Sequence, residues 1–226
     1  MVPAVTELQR ANARLAAAYL AGFIAVETGK RTGPKGLSAS ADAVGVNQAG
    51  RPIEDSLKGS LFTVKKAISD GHPVEAALGI GVAVAQRSAG EDVMFAGRDT
   101  VSAGIRDSDQ ITGWRRVTGG GCGACLAAAD GRVFADEDIL DVHPFCQCSA
   151  EPVVRDAPDT VARLTGEQMF HALAKGEQDQ LLGPDRAQIM RDGDVPFHAL
   201  IERQPMAAIP DVLTEAPLEA LRTHHH

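Results

Sequence analysis

The chain has 226 residues, 44% of them hydrophobic, which is enough for one sizeable core or two small domains. Its 22 Lys and Arg stand against 30 Asp and Glu, a formal net charge of −8, and it carries one Trp and one Tyr. That balance argues against a generic DNA coat, which needs clustered cations to displace counterions, and against a stacking platform for single strands, which needs aromatic rings.

From the start of the chain, Met1 to Thr6 lack the basic region of a signal peptide, and the apolar run from Leu15 to Val26 is too short to cross a bilayer. No membrane role is expected. Thr6 to Thr28 reads as a helix with Thr6 as N-cap and Gly29 as its stop. Leu8, Leu15, Tyr19, Phe23 and Val26 recur along it at helical steps. Two readings stay open for that stripe: a face turned to the core, or a docking face for a partner.

Gly29 to Arg51 holds five glycines and Pro34, the composition of a linker or a functional loop. Pro52 then opens a helix to about Ser69, with Ile53, Leu57, Leu61, Val64 and Ile68 on one face. Asp70-Gly71-His72-Pro73 breaks the chain. A third helix is expected from Val74 towards Ser88, and the less regular run from Gly90 to Arg106 is also read as helix. Lys58, Lys65, Lys66, Arg87, Arg98 and Arg106 are spread over this region as a solvated face would spread them.

Trp114 to Pro152 contains all four cysteines of the chain, as Cys122-x2-Cys125 and, after seventeen residues, His143-x2-Cys146-x-Cys148. Three glycines precede the first pair and let its backbone turn both sulfurs to one point. Two short clusters of soft ligands suit a tetrahedral Zn2+ in a closed, structural site. Five candidates, Cys122, Cys125, His143, Cys146 and Cys148, compete for four places, and the spacing does not choose between them. Disulfides or free buried thiols are the competing readings, although pairs this close in sequence are awkward to bridge.

Trp114 to Val117 reads as a short strand with Cys148 to Val154 as its partner. Asp130-Gly131 is a turn between them, and Pro144 stiffens the approach to Cys146. The expected fold class is therefore α+β and mainly helical: a helical arm and bundle, with a two-stranded sheet and a Cys/His knuckle.

The order Trp114-Arg115-Arg116-Val117, Cys122-x2-Cys125, Asp130-Gly131, an acidic spacer, His143-Pro144-x-Cys146-x-Cys148 and Glu151-Pro152 resembles the C-terminal module of the phage Mu F-like minor head proteins. It is most similar to the version in tailed phages of actinobacteria. The likeness is tight over about 40 residues and looser over the helices before it and the Gly183-x2-Arg186 to Gly193 segment after it. Gln147 departs from the pattern, standing where the family commonly has a basic residue.

The resemblance implies a structural virion protein, made in the host cytoplasm and carried in the phage head interior or at the portal vertex. It also implies several copies per particle, with the portal protein as partner, the major capsid protein as a second candidate and packaged DNA nearby. Assistance to head assembly, DNA packaging or delivery would be its work. Sequence-specific nucleic-acid binding is not expected.

A metal-dependent or thiol enzyme, hydrolase- or toxin-like, is the alternative. Against it, a zinc deaminase needs His-x-Glu beside its cysteines, whereas Pro144 and Phe145 follow His143. No general base is marked for a zinc hydrolase, and no thiol is singled out as a nucleophile. Asp136, Glu137, Asp138 and Asp141 read as a solvated acidic loop. His72, His171 and His198 stand alone, and Gly119-Gly120-Gly121 lacks the lysine of a phosphate loop.

Beyond residue 158 the pattern is short helices: one capped by Thr165 and ended near Lys175 by Gly176, and one from Gly183-Pro184 to Arg191 closed by Asp192-Gly193. A turn follows at Pro196. The tail with Pro205, Pro210 and Pro217 is expected to be extended, and His224 to His226 are given no metal role. The organisation expected is thus an arm and linker (1–50), a helical body with the Cys/His module (51–158, module 114–152), and short helices with a tail (159–226).

Overall fold

A computed structural model describes residues 1–29, 37–138, 140–143, 146–157, 163–193 and 195–200. The tail prolines, His224 to His226 and Pro144 lie outside the described residues. The chain forms two compact units, Met1–Ile111 and Thr112–His226.

The first unit is three helices: α1 (Val2–Thr28), α2 (Ile53–Ser69) and α3 (Val74–Asp107). The two stretches expected after Pro73 are one unbroken helix of 34 residues. No proline interrupts it, and three of its glycines, Gly81, Gly97 and Gly104, serve close packing. A Cβ on Gly81 would meet Val64, one on Gly97 would meet Asn12, and one on Gly104 would meet Leu20. Both α1 and α2 pack on α3.

That close approach corrects the expected face of α1. The helix begins at Val2, and Thr6 is no cap: its hydroxyl donates to the Val2 carbonyl inside the helix. The residues it buries are Val5, Gln9, Ala13, Ala17, Leu20 and Ile24. Leu8, Leu15, Tyr19 and Val26 are exposed, Leu15 at 69% and Val26 at 79%. Small side chains opposite small side chains let the helix axes approach, so the bulkier stripe is left outside. On α2, likewise, Ile53 is buried while Leu61 and Ile68 are exposed.

The described part of the 29–51 connection is tied to these helices. Ser40 bonds to Thr100 and Asp99 on α3. Gln9, fully buried, donates to the carbonyls of Val46 and Asp92 and accepts from the Gly45 amide. Asn47 accepts from the amides of Ala49 and Arg51 and donates to Ser56. Asp92 lies in this polar node, and its Oδ2 is buried without a hydrogen-bond partner. Burial raises its pKa to about 6, with Glu91 adding to the shift and the Ser56 hydroxyl opposing it.

The second unit holds β1 (Ile111–Thr118, beginning at the boundary), α4 (Gly123–Ala128), β2 (Val133–Phe134), β3 (Cys148–Val154), α5 (Gly166–Ala172), α6 (Lys175–Leu182) and α7 (Pro184–Asp192). The fold class holds in outline, mainly helical with a small antiparallel sheet, but the sheet has three strands in the order β2-β1-β3. The expected pair is present. The additional strand is two residues long, too short for any alternation to reveal. It is placed by Trp114, which pairs with Phe134 and stacks on its ring at 4.3 Å.

Helix boundaries follow the caps. Thr165 and Gln168 form a reciprocal capping box at α5. Gly176 lies inside α6 and ends nothing, whereas Gly193, in the left-handed region, does close α7. A helical core gathers Leu126, Phe170, Ala187, Ile189, Met190, Val195 and Phe197. Gly166 backs directly onto α4: a Cβ there would stand 1.8 Å from the Leu126 carbonyl oxygen.

Two outcomes are expected. Between about pH 4 and pH 6 the unfolded chain ionises Asp92 while the folded chain resists, so this group's stabilisation is full below pH 4 and lost as pH rises to about 6. Asp92→Asn should stabilise the chain above pH 6 by up to about 3 kcal/mol and flatten the difference curve, read from urea midpoints from pH 4 to 8. Gly166→Ala should destabilise the second unit by several kcal/mol, on the order of the largest single-site effects, because the obstacle is backbone. Trp114 fluorescence would follow that unfolding.

Candidate metal centre

The two halves of the cysteine cluster are presented by different backbone devices. Cys122 is the N-cap of α4, and its sulfur accepts from the Cys125 amide at 3.4 Å. Cys125 therefore sits one helical turn on, with the two sulfurs 3.5 Å apart. In the second half, the Cys146 amide donates to the His143 carbonyl. The Cys148 amide donates to the Cys146 sulfur at 3.3 Å, and Cys148 starts β3. The adjacency of β1 and β3 thus brings the second knuckle to the first.

The five expected residues fall into two triads that share Cys125. His143 Nε2 lies 3.2 Å from the Cys122 sulfur and 3.3 Å from that of Cys125. Cys125 and Cys146 sulfurs are 3.7 Å apart. Two groups of donor atoms lie within 4.8 Å of one another, Cys122-Cys125-His143 and Cys125-Cys146-Cys148, and Cys125 belongs to both. None of the four cysteines is in a disulfide.

These separations fit a metal. Tetrahedral bonds of 2.3 Å to sulfur and 2.0–2.1 Å to nitrogen set edges of about 3.8 Å between sulfurs and about 3.6 Å between sulfur and nitrogen. The observed spacings fall just inside those edges, and far outside the roughly 2.05 Å of a disulfide. An ion bound through Nε2 would require the ring proton to be on Nδ1. The surroundings are closed: Cys125, Cys146 and Cys148 are buried, and Cys122 is half-buried.

The electrostatics are those of donors crowded around one sulfur. Hydrogen bonds from Cys122, Cys146 and Cys148 hold the Cys125 thiol far below its usual pKa. Donating to Cys125 pushes Cys122 and Cys146 up, with burial adding to both. Cys148 is also raised, first by Cys125, with Cys146 and the Arg116 guanidinium acting against the rise. A bound cation would favour the thiolate form of whichever sulfurs ligate it.

The sequence reading passed over Arg116, which occurs there only as part of a strand. Its signal was position: two residues from the buried Trp114, it lies on the same face of β1 and is 7% exposed. The acidic loop behaves as expected of solvated turns. Asp130 accepts from the Arg132 amide and Asp138 from that of Ala135.

Because Cys125 is shared by both groups, Cys125→Ser should weaken metal binding more than Cys122→Ser or Cys148→Ser. The loss should exceed the roughly 10–100-fold typical of removing an outer partner. Chelator competition on the three variants measures it, and equal losses would contradict a shared central ligand. Comparison of the chain with protein-family models, with curated proteins and with solved structures finds no match.

Proposed function

We propose that the chain is a non-enzymatic minor head protein of a tailed phage, similar to the Mu F-like proteins, and that its Cys/His centre holds a structural Zn2+. The observation that carries this reading is the pair of Cys/His triads, Cys122-Cys125-His143 and Cys125-Cys146-Cys148, that share Cys125, in the motif order that resembles that family. An excess of ligands over the four positions of Zn2+ leaves no place for substrate, and favours a closed centre over a catalytic one. In this role the metal is a staple for a module with a small sheet.

The partner proposed is the portal protein, with the major capsid protein as a second candidate, and the place is the head interior or portal vertex. The exposed stripe of Leu8, Leu15, Tyr19 and Val26 supports the docking reading of α1, since the helix already has another face against α3. The net charge of −8 suits contact with protein more than with DNA.

Three measurements test this. Elemental analysis should find about one zinc per chain, and chelation should loosen the second unit before the first. Particles purified from cells producing the virus should contain the chain in their heads; absence there overturns the assignment. Leu8→Gln with Leu15→Gln should leave folding intact but lower incorporation about tenfold or more, as removing the centre of an interface does. If instead the double variant unfolds, the stripe belongs to the fold. A metal-dependent or thiol enzyme would be recognised by loss of turnover with retained fold and incorporation in single-cysteine variants.

A further inference from the structure

Any four ligands drawn from four cysteines and one histidine include at least three sulfurs. A divalent ion bound by three thiolates and an imidazole carries −1, and one bound by four thiolates carries −2. Placing such a charge away from water costs several kcal/mol unless a cation offsets it.

Arg116 is the one buried cation among the described residues. It forms no ion pair with a carboxylate among them. Its Nη2 donates to the Asp141 carbonyl at 2.7 Å, while Nε is buried without a partner. A buried guanidinium with Nε left unmatched is itself unfavourable. Asp141 stands two residues before His143, and β1, which carries Arg116, lies beside β3, which begins at Cys148. A buried cation with no carboxylate partner among the described residues therefore stands near a centre that becomes anionic once loaded.

We propose that Arg116 is the charge-compensating residue of the metal centre, its guanidinium offsetting the excess thiolate charge and thereby setting metal affinity. This rests on the metal reading above. It also gives the Asp141 contact a purpose: that carbonyl is two residues from His143, so one side chain orients the loop carrying the imidazole and balances the charge of the sulfurs. Arg116 acts through the ligands and is a positioning residue.

The experiment uses the full chain and zinc itself, with affinity taken from competition with a chromophoric chelator. Three proteins are compared: wild type, Arg116→Lys, which keeps the charge, and Arg116→Gln, which keeps hydrogen bonding without it. Expected is a loss of about 10–100-fold in Arg116→Gln, the range for groups around the ligands, with Arg116→Lys within a few-fold of wild type. If Arg116→Gln folds only at saturating zinc, or fails to fold while Arg116→Lys folds, charge is again the requirement. Arg116→Gln binding as tightly as wild type overturns the proposal, and so does equal failure of both variants, which would assign Arg116 to shape or hydrogen bonding. A wild-type chain that binds no zinc would instead defeat the metal reading itself.

Discussion

The second unit depends on how two triads of Cys and His side chains share the Cys125 sulfur. As neutral thiols they crowd one another, with hydrogen bonds of 3.5–3.7 Å between sulfurs and a single acidic member. As ligands they would satisfy an ion. In small zinc modules that exchange contributes about 10–16 kcal/mol, as much as the whole stability of an ordinary domain at about 5–15 kcal/mol. The helical core beside it is modest, so an ion at this place would dominate the unit.

Helix α4 couples the two parts. Cys125 faces the cluster while its neighbour Leu126 enters the apolar core with Phe170 and Met190. On its other sides Gly123 admits Leu182 and Gly166 admits the α4 backbone. A shift of this six-residue helix would move both a ligand and the core, so loss of the centre would propagate to α5 and α6. Gln178 extends the same ordering, donating to the carbonyls of Phe170 and Leu173 and accepting from Arg191.

The first unit is held differently, by the close fit of small residues on α3 and by a buried polar node. Gln9 satisfies two carbonyls and one amide, and so joins α1, the 45–46 turn and α3 at one point. Beside it Asp92 is a conflict retained in the core, a carboxyl that burial disfavours when charged. A node of this kind specifies the register of three segments at some cost in stability.

The sequence by itself determined what short-range chemistry determines. The knuckle spacings, the Thr165 cap and the Gly193 stop are local, because caps, turns and paired thiols act within a few residues. Five ligand candidates were legible for the same reason. Tertiary structure decided the rest. Which face of α1 is buried depended on the glycines of α3, more than 80 residues away, and periodicity alone left the bulkier stripe open to either a core or a docking role. The two residues of β2 were placed by Phe134 stacking on Trp114, a contact that leaves no pattern in either segment. Arg116 became notable only when the sheet buried its charge beside the sulfurs, since burial, and not residue type, makes an arginine's partner matter.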